Sequence, residues 1–428
     1  MSNERLRIFF CDHLNLARSK YVPFKGASNG EARFCQGAYA VTYDKQLIPA
    51  PGSKMLEGLP DMVAQYQGSE IREGWFQGDH VVISDLLESD GSVLDLCGRS
   101  TLKRISSEWQ SEGLTPKVGI ELEAFAFVRD DSGHWVPYDT PGAFVYSTGP
   151  FTDPIGFTDT IWDAASECGF PLELITSEYD SPQFEFTLRY DDAVKAVDDS
   201  FLFRLMAREL AYQQGVLLTF LPKPVEEAGG SGVHINFSFF DSDGQNRVGD
   251  SKSPDKLSEL GRNCVAGLMH HHQGLAGILA PTVNSYARLQ PASLSGYWQN
   301  WGEDHRGVTV RISSETGIQS RIEHRMADGA ANPYVATAAV LAAAKLGVEN
   351  NYDLQPAETG DCLESQDADQ GVAENLSKAL TDLENDSALC KKLGETLVQN
   401  HVFVKQTEIE TLADKSDREI LDYYIHYI

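Results

Sequence analysis

Polar side chains occupy every second position in four otherwise apolar segments of this 428-residue chain. In one segment, Glu121 and Glu123 alternate with Ile120 and Leu122. Successive side chains of a β-strand point to opposite faces, so this alternation predicts a strand with one carboxylate face and one core face. The same spacing predicts one polar face on each of three further strands, which carry Glu185; His234, Asn236 and Ser238; and Arg321, Glu323 and Arg325.

A single polar stripe is typical of a solvated sheet face. If the four strands share one sheet, however, one face gathers four carboxylates and an imidazole, those of Glu121, Glu123, Glu185, Glu323 and His234. That much negative charge needs compensation, which divalent cations with oxygen ligands provide. The arginines on the same stripes suit phosphate or carboxylate groups, because a planar guanidinium binds them in a bidentate manner. Glutamates, metal ions and arginines together indicate phosphoryl transfer from a nucleotide.

The pattern of the chain changes near residue 97. Residues 1–97 are short strand-like runs separated by Gly, Asn, Asp and Pro, which predicts a small β-rich domain. From residue 98 onward, helical patterns alternate with strands, and Asn332 before a proline predicts the start of an Ala-rich helix. We therefore predict an α+β protein with two domains, 1–97 and 98–428, and an acidic linker at 352–372. The histidines at 270–272 are interpreted as helix surface.

Composition narrows the class of partners. Asp and Glu number 63 against 35 Lys and Arg, a formal net charge of −28, which argues against nucleic acid and anionic membranes as partners. No apolar run is long enough to span a bilayer. The seven cysteines are scattered without a CxxC pair, which is typical of reduced thiols in a cytoplasmic protein. The glycine-rich turn at 228–232 is not a Walker A loop, because no GKS or GKT follows it.

Five segments resemble, in order, motifs of the glutamine synthetase superfamily. They are GIELEAFAF, GGSGVHINFSFFD, PTVNSYARLQP, WGEDHRGVTVRI and RIEHRMADGAANPYVATAAVLAA, within residues 116–344. The resemblance implies a small N-terminal β-grasp-like domain and a large catalytic domain whose antiparallel sheet is flanked by helices. It also implies a two-step reaction: the γ-carboxylate of glutamate attacks ATP to give γ-glutamyl phosphate, and an amine then displaces phosphate.

The resemblance further implies a role for each matching residue. At least two Mg²⁺ or Mn²⁺ ions would be bound, one by Glu123, Glu178 and Glu185 and another by Glu121, His234 and Glu323. Glutamate would be held by Gly230, Arg288 and Arg325, and the nucleotide by Lys223, Asn236, Ser238, Arg311 and Arg321. Arg306 and Arg325 would act on the transferring phosphoryl group, and Glu178 is the candidate base for the amine.

The chain departs from the family pattern at several positions. The flap that normally reads P-G-Y-E-A-P runs here from Pro291 to Gly296, with Leu294 in place of the glutamate. Asn236 replaces the second histidine of its motif, and His305 replaces the asparagine before the motif arginine. The segment LNLARSKYVPF resembles the N-G-x-x-R-G-K of the γ-glutamylpolyamine synthetase branch. Because Leu294 replaces the flap glutamate, we expect an organic amine rather than ammonia, with Leu294 at the amine pocket.

Three functions remain open at this stage. The first is a glutamate–amine ligase, the second a catalytically inactive regulatory or structural ring protein, and the third an ordinary glutamine synthetase that uses ammonia. Retention of all six metal-site residues favours the first. The expected partners are glutamate, an amine and ATP, and the expected assembly is a homo-oligomer, a dodecamer of two stacked hexameric rings. The identity of the amine, the acid partner and the regulation stay open.

Overall fold

The computed structural model describes residues 4–428. The chain begins with two small sheets. In the four-stranded mixed sheet, ordered β2-β1-β6-β5, the first strand is antiparallel to the second and parallel to the sixth. The three-stranded sheet, ordered β3-β4-β7, is antiparallel. The strands are β1 (Arg5–Cys11), β2 (Ala17–Pro23), β3 (Gly30–Cys35), β4 (Asp61–Tyr66), β5 (Arg72–Glu73), β6 (Asp79–Ile83) and β7 (Asp85–Leu87).

A nine-stranded sheet dominates the rest of the molecule, and its longest strand lies near the centre. The path is β10-β11-β8-β13-β16-β15-β14, with β9 and β12 also paired to β8. Except for the parallel pair β14 and β15, neighbouring strands are antiparallel. The strands are β8 (Thr115–Arg129), β9 (Trp135–Pro137), β10 (Leu172–Ser177), β11 (Gln183–Asp192), β12 (Leu217–Thr219), β13 (Val233–Phe240), β14 (Trp301–Glu303), β15 (Val310–Ile312) and β16 (Ile322–His324).

Helices cover the apolar face of this sheet. Helices α1 and α3 pack against its strands, and α7 lies against α1 and α4. The helices are α1 (Gly98–Gln110), α2 (Phe157–Glu167), α3 (Ala193–Gln213), α4 (Glu259–His270), α5 (His272–Leu279), α6 (Ser285–Arg288), α7 (Pro333–Asn350), α8 (Leu376–Asn385), α9 (Ser387–Leu393), α10 (Glu395–Leu412) and α11 (Asp417–Tyr424). The predicted α+β class is confirmed.

The predicted alternation along β8 is also confirmed. Ile120 and Leu122 are buried on the helix-covered face, next to Phe186 of β11 and Ile235 of β13. This face belongs to a core that also contains Phe9 from β1. The four-stranded sheet and the large sheet therefore share one core, whereas Met62 and Leu86 of the three-stranded sheet belong to a separate cluster with Phe10. A boundary at residue 97 stays a prediction.

Helix α7 is held at its start and pressed against a neighbour near its end. The Asn332 side chain accepts hydrogen bonds from the amides of Tyr334 and Val335, which confirms the predicted N-cap. The same side chain donates to the Asp12 carbonyl at 2.8 Å. Further along, Gly347 meets Gly267 of α4 so closely that a Cβ on Gly267 would lie 2.1 Å from the Ala343 carbonyl oxygen. Only glycine fits at this helix crossing.

The surface interpretation of the histidine run is wrong for two of its three members. The helix breaks at His271, between α4 and α5, and this turns His271 and His272 inward, where both are buried. His271 Nδ1 lies 2.7 Å from a carboxylate oxygen of Asp386, and His272 Nε2 lies 3.2 Å from the Tyr297 carbonyl. These bonds satisfy part of the hydrogen-bonding capacity of each ring.

None of the helices in the described part of the chain has the length and apolarity of a membrane span.

Candidate active site

Strand register aligns the polar stripes of the large sheet. Glu185 of β11 stands opposite Glu123 of β8. On the other side of β8, His234 of β13 stands opposite Glu121. Directly paired residues share a face, so the stripes merge into one polar surface. On β16, Glu323 continues this surface opposite Asn236 of β13 and Arg311 of β15.

Two groups of metal-type ligands lie on this surface. The His234 cluster consists of Glu121, His234 and Glu323, and the Glu185 cluster of Glu123, Glu178 and Glu185. Within each cluster, the ligand atoms lie within 4.8 Å of one another. These are the two sets that the family resemblance implied. Glu178 reaches its cluster from the turn that follows β10, where its amide donates to the Gln183 carbonyl at 2.9 Å.

The His234 cluster contains its own compensating cations and donors. His234 Nδ1 lies 2.9 Å from Glu121 Oε2 and 3.7 Å from Glu323 Oε1. Asn236 also donates to Glu121 at 2.9 Å. Burial alone would raise the pKa of Glu121, but the hydrogen bond from His234 holds it below its usual value. Arg311 and Arg325 both pair with Glu323, and although burial opposes ionisation, these charges lower the pKa of Glu323 to about 2.

In the Glu185 cluster, no arginine or lysine of residues 4–428 forms an ion pair with a carboxylate, although His234 Nε2 lies 3.5 Å from Glu123 Oε1. The Glu123 carboxylate accepts from the Gly232 amide at 2.7 Å and from the Gln183 side chain at 3.3 Å. Glu185 accepts from the Thr187 hydroxyl at 2.9 Å. All these donors are neutral. Burial, a hydrogen bond with the Glu178 carboxyl and the negative charge of Glu121 raise the pKa of Glu185 to about 9. This donor set of crowded carboxylates fits a divalent cation, which would replace the shared proton.

The glycine turn before β13 brings backbone against a buried arginine. Arg288 donates through Nη1 to the Met326 carbonyl at 2.7 Å and through Nη2 to the Arg325 carbonyl at 3.1 Å. A Cβ on Gly230 would lie 2.5 Å from Arg288 Cγ, and a Cβ on Gly232 would lie 2.5 Å from Arg288 Nη2. These glycines are therefore required for the close approach, beside the Glu185 cluster.

A cavity of about 290 Å³ opens beside the His234 cluster. Its lining includes Glu121, Asn236, Ser238 and Arg321. Of the residues expected at a nucleotide, Lys223 and Arg311 do not line it. Lys223 donates to the Ala228 carbonyl at the glycine turn, and Arg311 pairs with Glu323 and Asp304. The structure thus brings part of the predicted nucleotide set together at this cavity.

Two further expected residues lie on loops around the polar face. Arg306 is exposed on the β14–β15 connection and makes no hydrogen bond or ion pair with any of residues 4–428. Leu294 is 47% exposed on the 291–296 flap. The flap ends at Gly296, whose positive φ of 82° and lack of a side chain let it contact the Met326 backbone, where a Cβ would lie 2.9 Å away. The Leu294 side chain is thus about half exposed, on a flap whose end packs next to Arg325.

Sequence reasoning assigned no role to Gln183, which joins the Glu185 cluster to the glycine turn. Its side-chain amide donates to Glu123 and, at 3.0 Å, to the Gly230 carbonyl. Its position two residues before Glu185 on β11 was the available signal, because alternation places both side chains on one face.

Comparisons with known proteins agree on a family. The family described as glutamine synthetase, catalytic domain, matches residues 95–424. Glutamine synthetase of Halobacterium salinarum is 29% identical over 416 residues, 94% of this chain and 89% of that protein. The enzyme of Methanococcus maripaludis is 32% identical over 334 residues, 76% of this chain and 74% of that protein.

Solved structures extend the likeness to nearly the whole chain. A complex of GmaS with ADP superposes with a TM-score of 0.83 at 26% identity, covering 98% of this chain and 96% of the other. A crystal structure of a novel glutamine synthase homolog gives a TM-score of 0.85, covering 99% and 98% of the two chains. At 24% identity, the second shows the fold alone.

The raised pKa of Glu185 predicts how stability of the metal-free protein depends on pH. The folded pKa of about 9 lies above the ordinary 4.5, so the folded state binds one more proton than the unfolded state between these values. The free energy of unfolding is then expected to fall as pH rises from 5 to 9, by up to about 1.4 kcal/mol per pH unit. Glu185→Gln should flatten this slope in urea titrations with a chelator. Glu410→Gln, on an exposed part of α10, is the control. An unchanged slope in Glu185→Gln would contradict the pKa assignment.

Proposed function

The chain belongs to the glutamine synthetase superfamily, and from that premise we propose that it joins the γ-carboxylate of glutamate to an organic amine, using ATP. The family consists of carbon–nitrogen ligases that use ATP and divalent metals and form homo-oligomers. The observation that carries the proposal is the pair of ligand clusters on one sheet face, with Arg325 ion-paired to one cluster and a cavity alongside.

The Glu185 cluster and the His234 cluster would each hold a divalent cation. Such ions neutralise phosphate charge and position phosphate oxygens. The crowded carboxylates of the Glu185 cluster, which pair with no arginine or lysine of residues 4–428, support the first site. The second site lies next to the cavity, and its ligands are already oriented by Asn236 and Arg311.

The nucleotide would occupy the cavity beside the His234 cluster. Ser238 and Arg321 line it and offer a hydroxyl and a guanidinium to the substrate. That the chain binds a nucleotide at all is supported by GmaS, a structural neighbour that was solved with ADP. Lys223 would act only indirectly, by holding the glycine turn through the Ala228 carbonyl.

The reaction would proceed in two steps. A γ-carboxylate oxygen of glutamate attacks the terminal phosphorus of ATP, the bond to the bridging oxygen breaks, and ADP leaves. The amine nitrogen then attacks the acyl carbon, gives up a proton, and phosphate leaves. Arg306 and Arg325 would stabilise charge on the transferring phosphoryl group. Arg288 would bind the carboxylates of glutamate, and Gly230 would contribute backbone groups to the same substrate. Glu178, on the polar face, is the candidate proton acceptor.

The amine would be organic, because Leu294 stands where the family flap carries a glutamate. An acid at this position suits a small cation such as ammonium. A leucine that is 47% exposed instead offers apolar surface, worth about 25 cal/mol for each Å² that a substrate covers. An alkyl or aryl group on the amine would therefore be favoured over bare ammonium.

Loss of one carboxylate from the Glu185 cluster should stop the reaction. Glu185→Ala is expected to lower glutamate- and amine-dependent ATP hydrolysis at least ~100-fold, since a bound metal contributes several kcal/mol to the transition state. Glu227→Ala, on an exposed loop, should retain activity. Phosphate release at low metal concentration measures both. Near-normal turnover in Glu185→Ala would refute the metal assignment, and no turnover of the wild type with any amine would favour an inactive ring protein.

The Leu294 side chain should set the preference among amines. In the wild type, kcat/KM for alkyl or aryl amines is expected to exceed that for ammonium. Leu294→Glu should lower this ratio roughly 10-fold or more, since a carboxylate attracts ammonium and removes the apolar contact. Leu294→Gln, similar in size but neutral, separates charge from shape and should change the ratio less. A wild type that prefers ammonium, or a ratio unmoved by Leu294→Glu, would contradict an organic amine.

We also propose that the protein assembles as a dodecamer of two stacked hexameric rings. Exposed aromatic side chains support an assembly, among them Phe144, Phe151 and Tyr179, each at least 75% exposed. Light scattering should give a mass about twelve times 47.2 kDa. A monomer that turns over at full rate would refute the assembly.

A further inference from the structure

The acidic stretch at 352–372, predicted to be a linker, is bound tightly to the catalytic sheet. We call it the strap. It contains no helix or strand, yet the Glu358 carboxylate is buried and accepts four hydrogen bonds. Three come from strap amides, those of Gly360 at 2.9 Å, Asp367 at 2.6 Å and Ala368 at 3.3 Å. The fourth comes from the Asn300 side chain at 2.8 Å. One carboxylate thus folds the strap and attaches it to the residue before β14.

Asn300 passes this attachment to the β14–β15 connection. Its amide nitrogen also donates to Cys362 of the strap at 3.3 Å, while its oxygen accepts from the Thr309 amide at 3.1 Å. Asn300 and Thr309 stand at the two ends of the loop that carries Arg306. The Glu358 carboxylate therefore fixes the orientation of the Asn300 amide, and Asn300 closes the base of the loop.

The strap also holds the tip of the same loop. His305 Nε2 donates to the Gly360 carbonyl at 2.7 Å, and His305 Nδ1 accepts from the Gly307 amide at 3.0 Å. A Cβ on Gly307 would lie 2.8 Å from the Asp361 carbonyl oxygen. Both neighbours of Arg306 thus contact the strap, and His305, which departs from the family motif, makes one of the contacts.

Arg306 itself is different. Its side chain is exposed and pairs with none of the residues from 4 to 428, while the residues on both sides are fixed. A fixed backbone with a free guanidinium suits a group that meets a charged substrate only during the reaction.

We propose that Glu358 is a positioning residue for Arg306, acting through Asn300 and the strap; this rests on the role proposed for Arg306 in phosphoryl transfer. Glu358 does not touch substrate. It sets the placement of the loop from which Arg306 reaches the transferring phosphoryl group.

Glu358→Gln tests the proposal, because the neutral amide turns a donor toward two of the four N–H groups. We expect kcat to fall roughly 10- to 100-fold, the order of effect that misplacing a catalytic group produces, with KM for glutamate little changed. Glu364→Gln, exposed on the same strap, is the matched control and should keep wild-type kcat. Thermal unfolding of both variants checks the fold.

Two measurements separate positioning from a general structural role. Hydrogen exchange of the Gly307 and Thr309 amides should speed up at least ~10-fold in Glu358→Gln. In His305→Ala, which removes the bonds of His305 to both Gly360 and the Gly307 amide, the Thr309 amide is the informative one and should also exchange faster. In an Arg306→Ala background, Glu358→Gln should cause no further loss of kcat.

Each outcome has a distinct meaning. Additive losses of kcat, or unchanged exchange in both variants, would overturn the positioning role and leave the proposed reaction intact. Full kcat in Arg306→Ala would instead overturn the role of Arg306 in the reaction, and the positioning role with it.

Discussion

Repulsion between carboxylates that share one sheet face is the constraint on which the rest of this structure depends. Glu121, Glu123, Glu185 and Glu323 come together because antiparallel pairing of β8 with β11, and of β13 with β8 and β16, leaves no other face for them. Such a face is stable only where charge or protons balance it. The apolar side of the same strands is buried under α1 and α3, and this burial fixes the positions of the carboxylates despite their mutual repulsion.

The balance is achieved differently in the two halves of the site. Around Glu323, the charges of Arg311 and Arg325 are built into the protein, and the pKa of Glu323 stays low. Around Glu185, only neutral donors are present, so without metal a proton is retained. The first half is thus pre-organised by side chains, whereas the second depends on what binds there. This difference fits a site in which the half around Glu323 meets phosphate oxygens and the half around Glu185 meets a carboxylate substrate.

Much of this arrangement could be predicted from alternation alone. The period of two on β8 placed Glu121 and Glu123 opposite a buried face, and the asparagine–proline pair marked the start of α7. Which strands are neighbours could not be predicted from the residues, because strand pairing is non-local; the family motifs were needed for it. Glu178 illustrates the limit, since it lies in a turn, where no periodicity applies.

What the sequence did not reveal has physical causes as well. The predicted linker 352–372 indeed contains no helix or strand, but the sequence did not reveal that its Glu358 is buried and satisfied by backbone amides that only a folded strap presents. The histidine run looked like helix surface, but a break at His271 redirected two rings inward. In both cases a polar side chain was buried by local chain geometry that hydropathy does not record.

The contact between Gly267 and Gly347 has a mechanical consequence. In most cores the side chains around an added methylene can shift or change rotamer, at a cost of about 1–3 kcal/mol. Main-chain atoms that touch directly have no such freedom, so a single added carbon would have to displace an entire helix. At the N-terminus of helix α7, the Asn332 side chain donates a hydrogen bond to the carbonyl of Asp12, the residue after β1. A methyl group at this crossing would therefore displace α7 as a whole. The displacement would extend to Asn332 and disturb the contact between the N-terminal sheet and the rest of the protein.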